Sequence, residues 1–241
     1  MKRLLDFLLS FIGLLILSPI LLVFMFLIFL QDKSSPIYKA SRVGKSGKIF
    51  TMVKLRSMVV NADKSEVDST SADDQRITSL GKIIRRYKLD ELTQLWNVFL
   101  GDMSLVGPRP QVERDVDLYS DEEKKLLTIR PGITDFSSIV FSDEGDILEG
   151  KDDPDLAYNQ LIRPWKSKLG IIYINNRTLT LDMKLVFYTC RSIINKKKVL
   201  LSICQELGRI TDDLELLEVC KRKNELYPSI PPGCKEIIQS R

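Results

Sequence analysis

The sequence predicts an α+β fold: a long apolar N-terminal helix, followed by a small, mostly helical domain that carries a short β-hairpin. Residues 7–30 are almost continuously apolar, residues 36–58 alternate around glycines, and apolar residues recur at helical spacing from Gly81 onward. A chain of 241 residues fits one domain with appendages better than two full domains. We therefore divide it into a membrane helix (1–31), a central domain (32–195) and a helical C-terminal appendage (196–241).

The apolar segment is long enough to cross a hydrocarbon core of about 30 Å as a helix. It is too long for a signal peptide and lacks a small-x-small cleavage site. Ser18 and Pro19 lie at its centre, where the proline removes a helical hydrogen bond and favours a kink. Two arrangements are open: a kinked spanning helix, or a re-entrant helix that breaks at Ser18-Pro19 and leaves by the face it entered. Basic residues on both flanks suit the re-entrant arrangement.

The segment after the membrane helix predicts a β-hairpin whose second strand carries two cations. Gly44 and Gly47 mark the turn, and residues 50–58 alternate as a strand. Because strand side chains alternate between faces, Lys54 and Arg56 are expected on the same face. They are candidates for anion binding, and a solvated strand face is the alternative.

The stretch from residue 85 to 110 places two adjacent carboxylates, Asp90 and Glu91, among cations. Apolar side chains from residue 89 to 99 follow helical spacing, which puts the carboxylates in a first helical turn. The helix dipole there favours an ionised acid, and exposed backbone N–H groups attract phosphate. The pattern suits phosphate chemistry beside the basic pair Arg85 and Arg86. It also occurs at ordinary helix ends.

Two further cations lie in rigid loops. Arg109 stands between Pro108 and Pro110, and Arg130 precedes a Pro-Gly pair. Proline restricts its own backbone and that of the preceding residue, so these guanidinium groups are held in defined directions. Both are candidate phosphate ligands, with a surface ion pair as the alternative. Another predicted helix starts at residue 179 and carries Asp182 in its first turn.

Composition excludes several kinds of site. The chain has no histidine, which removes Ser-His-Asp and Cys-His triads and histidine-ligated zinc. Its four cysteines are widely spaced without a CxxC motif, as is typical of reduced thiols. Gly44-Lys45-Ser46 lacks the upstream glycine of a P-loop. Acid–base or nucleophilic chemistry must therefore fall to Asp, Glu, Lys, Tyr or Cys.

Taken together and in order, these segments resemble the bacterial sugar transferase family of small monotopic phosphoglycosyl transferases. The resemblance covers roughly residues 1–195. It is carried by the apolar helix with Ser18-Pro19, Arg42-Val43-Gly44, residues 54–58, Leu89-Asp90-Glu91-Leu92, residues 101–104, Gly107-Pro108-Arg109-Pro110, residues 130–134 and Leu181-Asp182.

The resemblance implies transfer of a sugar-1-phosphate from a UDP-sugar to polyprenyl phosphate, with release of UMP. Asp90 would be the nucleophile that forms a covalent phosphosugar intermediate, and Asp90 and Glu91 would hold Mg²⁺. Side chains implied to bind or support the substrates are Lys54, Arg56, Arg85, Arg109, Arg130 and Asp182. Carboxylate attack on a diphosphate is opposed by charge repulsion, which explains the need for cations.

The resemblance also implies a location and partners. The apolar helix would be re-entrant, broken at Ser18-Pro19, in the bacterial cytoplasmic membrane with the globular part on the cytoplasmic face. Membrane lipid and polyprenyl phosphate are the expected partners. We expect no nucleic-acid partner and leave open whether the chain forms a homo-oligomer.

The sequence departs from the family pattern at three positions near these motifs. Lys88 replaces a common serine and Thr93 a common proline. Asp135 replaces a common glycine, so the loop after residue 134 departs from the family pattern on which a sugar assignment would rest. Two other functions compete: a non-catalytic membrane-anchored interaction protein, and a metal-dependent phosphohydrolase.

Overall fold

A computed structural model describes residues 1–62 and 69–239 and has the predicted α+β architecture. The helices are α1 (Lys2–Asp32), α2 (Ser79–Arg86), α3 (Leu89–Leu92), α4 (Leu95–Leu100), α5 (Glu113–Asp117), α6 (Phe136–Val140), α7 (Glu144–Leu148), α8 (Pro154–Ala157), α9 (Arg163–Asn176), α10 (Leu179–Leu207) and α11 (Leu214–Cys220). The strands are β1 (Ile37–Val43), β2 (Ile49–Leu55), β3 (Ser104–Val106) and β4 (Gly132–Thr134). Strands β1 and β2 form the predicted antiparallel hairpin, whereas β3 and β4 pair in parallel.

Helix α1 continues through Ser18 and Pro19, so the predicted break is wrong at the level of secondary structure. Pro19 has no N–H to donate to the carbonyl of Leu15, four residues earlier. The hydroxyl of Ser18 donates to that same carbonyl at 2.9 Å. The serine thus satisfies the acceptor that the proline leaves open, which lets the helix persist.

Both ends of α1 contact the globular domain. At the start, Lys2 Nζ lies 2.5 Å from Asp182 Oδ2. At the end, Asp32 accepts two hydrogen bonds from Arg56 at 2.5 and 2.6 Å. Between the ends, α1 packs against α3 and α4. Both ends of α1 therefore lie against the same domain.

The outward face of α1 is apolar and uncovered. Only 11% of its most apolar 18-residue window is buried, which distinguishes α1 from the core helix of a soluble protein. Trp96, a predicted member of the buried stripe, is also exposed, and its ring stacks on that of Phe99. Phe99 in turn stacks on Phe7 of α1 with ring centroids 4.8 Å apart. Large exposed apolar patches mark interaction with membranes or partners; here the patch makes α1 a membrane-associated helix.

Asp182 anchors the start of α1 to the core. Besides Lys2, it accepts a hydrogen bond from the hydroxyl of Tyr173 at 2.5 Å. The Tyr173 hydroxyl and Lys2 both also lie within hydrogen-bond reach of the Val106 carbonyl. Asp182 and Tyr173 are both buried, so the contact joins α9, α10, β3 and the membrane helix.

We expect Tyr173→Phe to destabilise the fold by about 1–3 kcal/mol, because it removes a buried hydrogen bond to a charged group. Denaturant unfolding of the detergent-solubilised protein measures this cost. The exposed Tyr227, which donates to Glu215 on the surface, provides the control Tyr227→Phe, with an expected change within about 0.5 kcal/mol. Equal stability of the two variants would contradict the anchoring role.

The C-terminal appendage is not a separate unit. Helix α10 kinks at Asn195, whose backbone is non-helical (φ −146, ψ 80), near the boundary predicted from the sequence. Beyond the kink, apolar side chains such as Val199, Ile203 and Leu216 belong to the same buried core as Trp165. Only the first half of the C-terminal appendage is helical, because residues 221–239, after α11, contain no helix.

Candidate active site

The carboxylate pair lies at the start of its own short helix. Lys88 adopts a left-handed conformation (φ 53), which interrupts the helical pattern that starts at Gly81. The interruption separates α2 from α3 and places Asp90 and Glu91 in the first turn of α3, as predicted. Both side chains are half-buried.

Thr93, just after this helix, and Asn97 of α4 fix the region against β2. The Thr93 hydroxyl lies 3.0 Å from the Val53 carbonyl and 3.1 Å from the Asp90 carbonyl, and its one proton is shared between them. The Asn97 amide donates to the Thr51 carbonyl at 2.7 Å and accepts from the Val53 N–H at 2.9 Å. Asn97 thereby pairs with the free edge of β2 as a neighbouring strand would. This docking brings Lys54 of β2 to the carboxylate pair.

Arg109 reaches the pair from the other side. Its loop follows β3, where Gly107 and Gly132 cross so closely that a Cβ on Gly132 would lie 2.1 Å from the Gly107 nitrogen. Only glycine permits this approach. The crossing fixes the buried prolines on either side of Arg109, and Arg109 Nη1 lies 2.8 Å from Glu91 Oε1.

The two carboxyl groups have opposite pKa shifts. Burial raises the pKa of Asp90, and the neighbouring Glu91 charge adds to this effect. Burial opposes ionisation of Glu91 as well, but Arg109, Lys88 and Lys54 outweigh it and lower the pKa of Glu91 to about 2. The shift of Asp90 is opposite to the one expected from the helix dipole, because α3 is short and its acid is desolvated. Glu91 is therefore the permanently ionised member, and Asp90 is the more basic.

Two more cations complete the surroundings. Burial, with the nearby Arg109 charge, lowers the pKa of Lys54 to about 8. Arg85 donates from Nε to the Ser57 hydroxyl at 2.9 Å, and its charge acts on Asp90. The charges of Lys54, Arg85 and Arg109 thus all act on Asp90.

These pKa shifts predict how activity depends on pH. Lys54 loses its charge as pH rises through about 8. The value of kcat/KM for an anionic substrate should therefore fall on the alkaline limb of the pH profile. In Lys54→Arg the cation stays protonated, and the alkaline limb should move upward by at least about one pH unit. The acid limb should lie above the ordinary range of an aspartate because the pKa of Asp90 is raised. An unchanged alkaline limb in Lys54→Arg would show that Lys54 does not control it.

Three predicted substrate ligands are held elsewhere. Arg56 lies just beyond the end of β2 and binds Asp32, so it does not share the surroundings of Lys54. Asp182 binds Lys2 and Tyr173. Arg130 is exposed and donates to the Gly101 carbonyl at 2.7 Å. The structure gives Arg56 and Asp182 anchoring contacts with α1, and it does not bring Arg130 to the carboxylate pair.

Sequence reasoning missed a third carboxylate and its partner. Glu144, the first residue of α7, forms an ion pair with Lys166 of α9. Burial opposes ionisation of Glu144, but Lys166, Arg109 and Lys54 outweigh it and lower its pKa. Arg109 and Lys166 also line one cleft. The acidic run around Glu144 has no recognisable spacing, and therefore gave no signal in the sequence.

The donor set fits a metal shared with a substrate better than a metal held by protein alone. Among the described residues, no group of three or more acidic or cysteine side chains is arranged to hold a metal ion. Mg²⁺ commonly binds one or two carboxylates together with substrate phosphates. Asp90 and Glu91 can supply such ligands, although Glu91 already binds Arg109.

Comparison with known proteins finds relatives whose names refer to undecaprenyl-phosphate sugar transfer or to exopolysaccharide production. An undecaprenyl-phosphate galactose phosphotransferase of Salmonella typhimurium is 33% identical over 211 residues, covering 81% of this chain and 41% of the relative. A UDP-N-acetylgalactosamine-undecaprenyl-phosphate N-acetylgalactosaminephosphotransferase of Aeromonas hydrophila is 34% identical over 196 residues, covering 80% and 43%. The exopolysaccharide production protein ExoY of Sinorhizobium fredii is 32% identical over 207 residues, covering 80% and 84%.

The chain therefore spans about two fifths of the length of the first two relatives and most of the length of the third. The family model described as bacterial sugar transferase matches residues 1–196. That match ends next to the kink at Asn195 and includes α1, the hairpin and every residue of the carboxylate site. This chain belongs to the bacterial sugar transferase family.

Proposed function

We propose that the protein transfers a sugar-1-phosphate from a UDP-sugar to polyprenyl phosphate through a covalent intermediate on Asp90. The observation that carries this proposal is the Asp90–Glu91 pair, set among Lys54, Arg85 and Arg109, on a helix that packs against the membrane helix. The names of the relatives, which specify undecaprenyl phosphate and UDP-sugars, support the same reaction.

The reaction divides into two displacements at one phosphorus atom. A carboxylate oxygen of Asp90 attacks the sugar-bearing phosphorus, and the bond to the bridging oxygen breaks to release UMP. A phosphate oxygen of the polyprenyl carrier then attacks the same phosphorus, and the Asp90 carboxylate leaves. Such a division replaces one difficult step by two easier ones. The raised pKa of Asp90 suits the role, since a more basic carboxylate is a better nucleophile.

The other groups have separate roles in this proposal. Glu91 stays ionised and holds Arg109 in place. Lys54, Arg85 and Arg109 neutralise phosphate charge, and arginine suits paired contacts with phosphate oxygens. Asp90 and Glu91 would hold Mg²⁺, which when bound would neutralise phosphate charge further.

The location of the site suits a lipid acceptor. Leu89 and Leu92, which flank the carboxylate pair, pack in one cluster with Leu21 and Ile28 of α1. The phosphate of a carrier whose hydrocarbon chain lies in the membrane would thus arrive near Asp90. We place the protein in the bacterial cytoplasmic membrane with the globular part on the cytoplasmic face, and we propose that both ends of the unbroken helix α1 stay at that face.

A UMP-release assay with a panel of UDP-sugars, polyprenyl phosphate and Mg²⁺ tests the function. We expect UMP and a lipid-linked sugar diphosphate in equal amounts with at least one donor. Release of inorganic phosphate from a lipid phosphate without any donor would instead identify a phosphohydrolase. No release from any donor would favour a non-catalytic interaction protein.

A further inference from the structure

Two residues of the C-terminal segment 196–222 form ion pairs with Asp143. Lys196 Nζ lies 3.0 Å from Asp143 Oδ1, and Arg222 Nη2 lies 3.3 Å from Asp143 Oδ2. The Arg222 guanidinium also lies over the ring of Phe141, 5.7 Å from its centroid. Two cations from beyond the Asn195 kink therefore hold the residue that immediately precedes Glu144.

Arg222 makes this contact under unfavourable conditions. Its backbone is left-handed (φ 50), a conformation that costs energy in residues other than glycine. Its side chain is 12% exposed, and its Nε and Nη1 have no hydrogen-bond partner within the described ranges. Buried donors without partners are destabilising. The ion pair with Asp143 and the contact over the Phe141 ring are the interactions that offset this cost.

From Asp143 the contacts lead directly into the active site. Helix α7 begins at the next residue, Glu144, whose neighbour Gly145 accepts a backbone hydrogen bond from Ala72 at 3.0 Å. Glu144 forms its ion pair with Lys166. Lys166 lines the same cleft as Arg109, and Arg109 binds Glu91 of the carboxylate pair.

We propose that segment 196–222 is a positioning element of the active site: through Asp143 it fixes Glu144 between the cations Lys166 and Arg109. This inference rests on the proposed transferase function. It also gives a role to residues that extend beyond the family match at 1–196. Lys196 and Arg222 are positioning residues, since neither of them contacts the carboxylate pair.

The expected consequence is weaker donor binding with little change in turnover. A fixed Glu144 keeps Lys166 and Arg109 aligned to receive the donor's phosphates before it arrives. Loss of that alignment weakens donor binding before the reaction, which raises KM. Because Glu91 still holds Arg109, kcat should change little.

A double-mutant cycle tests this path. Arg222→Gln and Glu144→Gln are made singly and together in the full chain, and UMP release is measured against donor concentration. We expect each single variant to raise the donor KM about 10-fold with kcat within about twofold of wild type. The double variant should match Glu144→Gln alone, because both changes act through the same carboxylate. Additive effects, or an unchanged KM in either single variant, would overturn the proposal.

Neighbouring lysines provide matched controls. Lys221→Gln removes the charge of the residue before Arg222. Lys221 forms its ion pair within the same segment, with Glu218. Lys197→Gln removes the charge of an exposed lysine next to Lys196 in sequence. Both should retain the wild-type KM, and a rise in KM as large as that of Arg222→Gln would contradict the specific path.

Asp143→Asn probes the path from its other end with little change in shape, and covers the case in which Arg222→Gln fails to fold. It should reproduce the rise in KM in a protein that is still folded at the assay temperature, as a thermal unfolding curve would show. A wild-type protein that releases no UMP would refute the transferase itself and this inference with it. An active wild type whose KM is insensitive to Asp143→Asn would refute only the positioning element.

Discussion

Asp90→Asn should lower UMP release and lipid-linked product by at least about 10⁴-fold, the scale on which loss of a covalent nucleophile acts. Asparagine has nearly the same shape but cannot form the phosphosugar ester. The local fold should survive, because the hydrogen bond that Thr93 makes to residue 90 uses the backbone carbonyl, not the side chain. The measurement is initial-rate UMP release at saturating donor and acceptor.

The matched control is Asp121→Asn, which changes an aspartate whose side chain is 99% exposed. It should keep wild-type activity. Retention of more than about one hundredth of the rate by Asp90→Asn would exclude Asp90 as the nucleophile. Glu91→Gln separates the two acids: it should impair the reaction while still allowing the covalent intermediate to form.

Arg109→Ala is the second change with a large expected effect. Loss of one preorganised cation at a developing charge typically costs about 10²–10³-fold, and kcat/KM should fall by that amount. Arg109→Lys should recover only part of it, because an ammonium group lacks the planar guanidinium fork. Arg209→Ala, which removes an arginine that is 70% exposed and pairs with Glu206, should leave activity unchanged.

Arg109→Ala should also change how the stability of the protein depends on pH in acid. The pKa of Glu91, about 2 in the fold, lies below its usual value, so its ionised form stabilises the fold at neutral pH. That contribution is lost as pH falls through the folded-state pKa. Without Arg109 the pKa of Glu91 rises, and the loss should begin at higher pH. Unfolding curves at several pH values check this, and identical acid profiles would contradict the ion pair.

Local patterns in the sequence predicted the elements that depend on neighbouring residues. The apolar run of α1, the alternation of the hairpin and the helical start at Asp90 all follow from short-range periodicity. The persistence of α1 through Pro19 did not, because it depends on one hydroxyl taking over one carbonyl. In a sequence, proline is a strong signal for a helix break. A preceding serine is only a weak signal that the unpaired carbonyl will find another donor.

Pairing between distant residues explains the remaining differences at the site. Arg56 resembles a phosphate ligand until Asp32, 24 positions away, is seen to bind it. Asp182 is bound by Lys2 from 180 positions away. Conversely, Glu144 joins the site only because the fold brings α7 beside Lys166 and Arg109. Sequence spacing carries no information on such contacts. Lys54 and Arg109 were found because the family motifs contain them, and Arg85 because it lies five residues before Asp90.

The most direct test of the covalent mechanism is to incubate the purified protein with an accepted UDP-sugar and no acceptor, then map it by peptide mass spectrometry. We predict release of at most one UMP per protein molecule and a phosphosugar mass on the peptide that contains Asp90. Hydroxylamine should remove this adduct, as expected of an acyl phosphate, and polyprenyl phosphate should consume it to give lipid-linked product. UMP release that requires the acceptor, with no adduct on Asp90 at any time, would contradict the account.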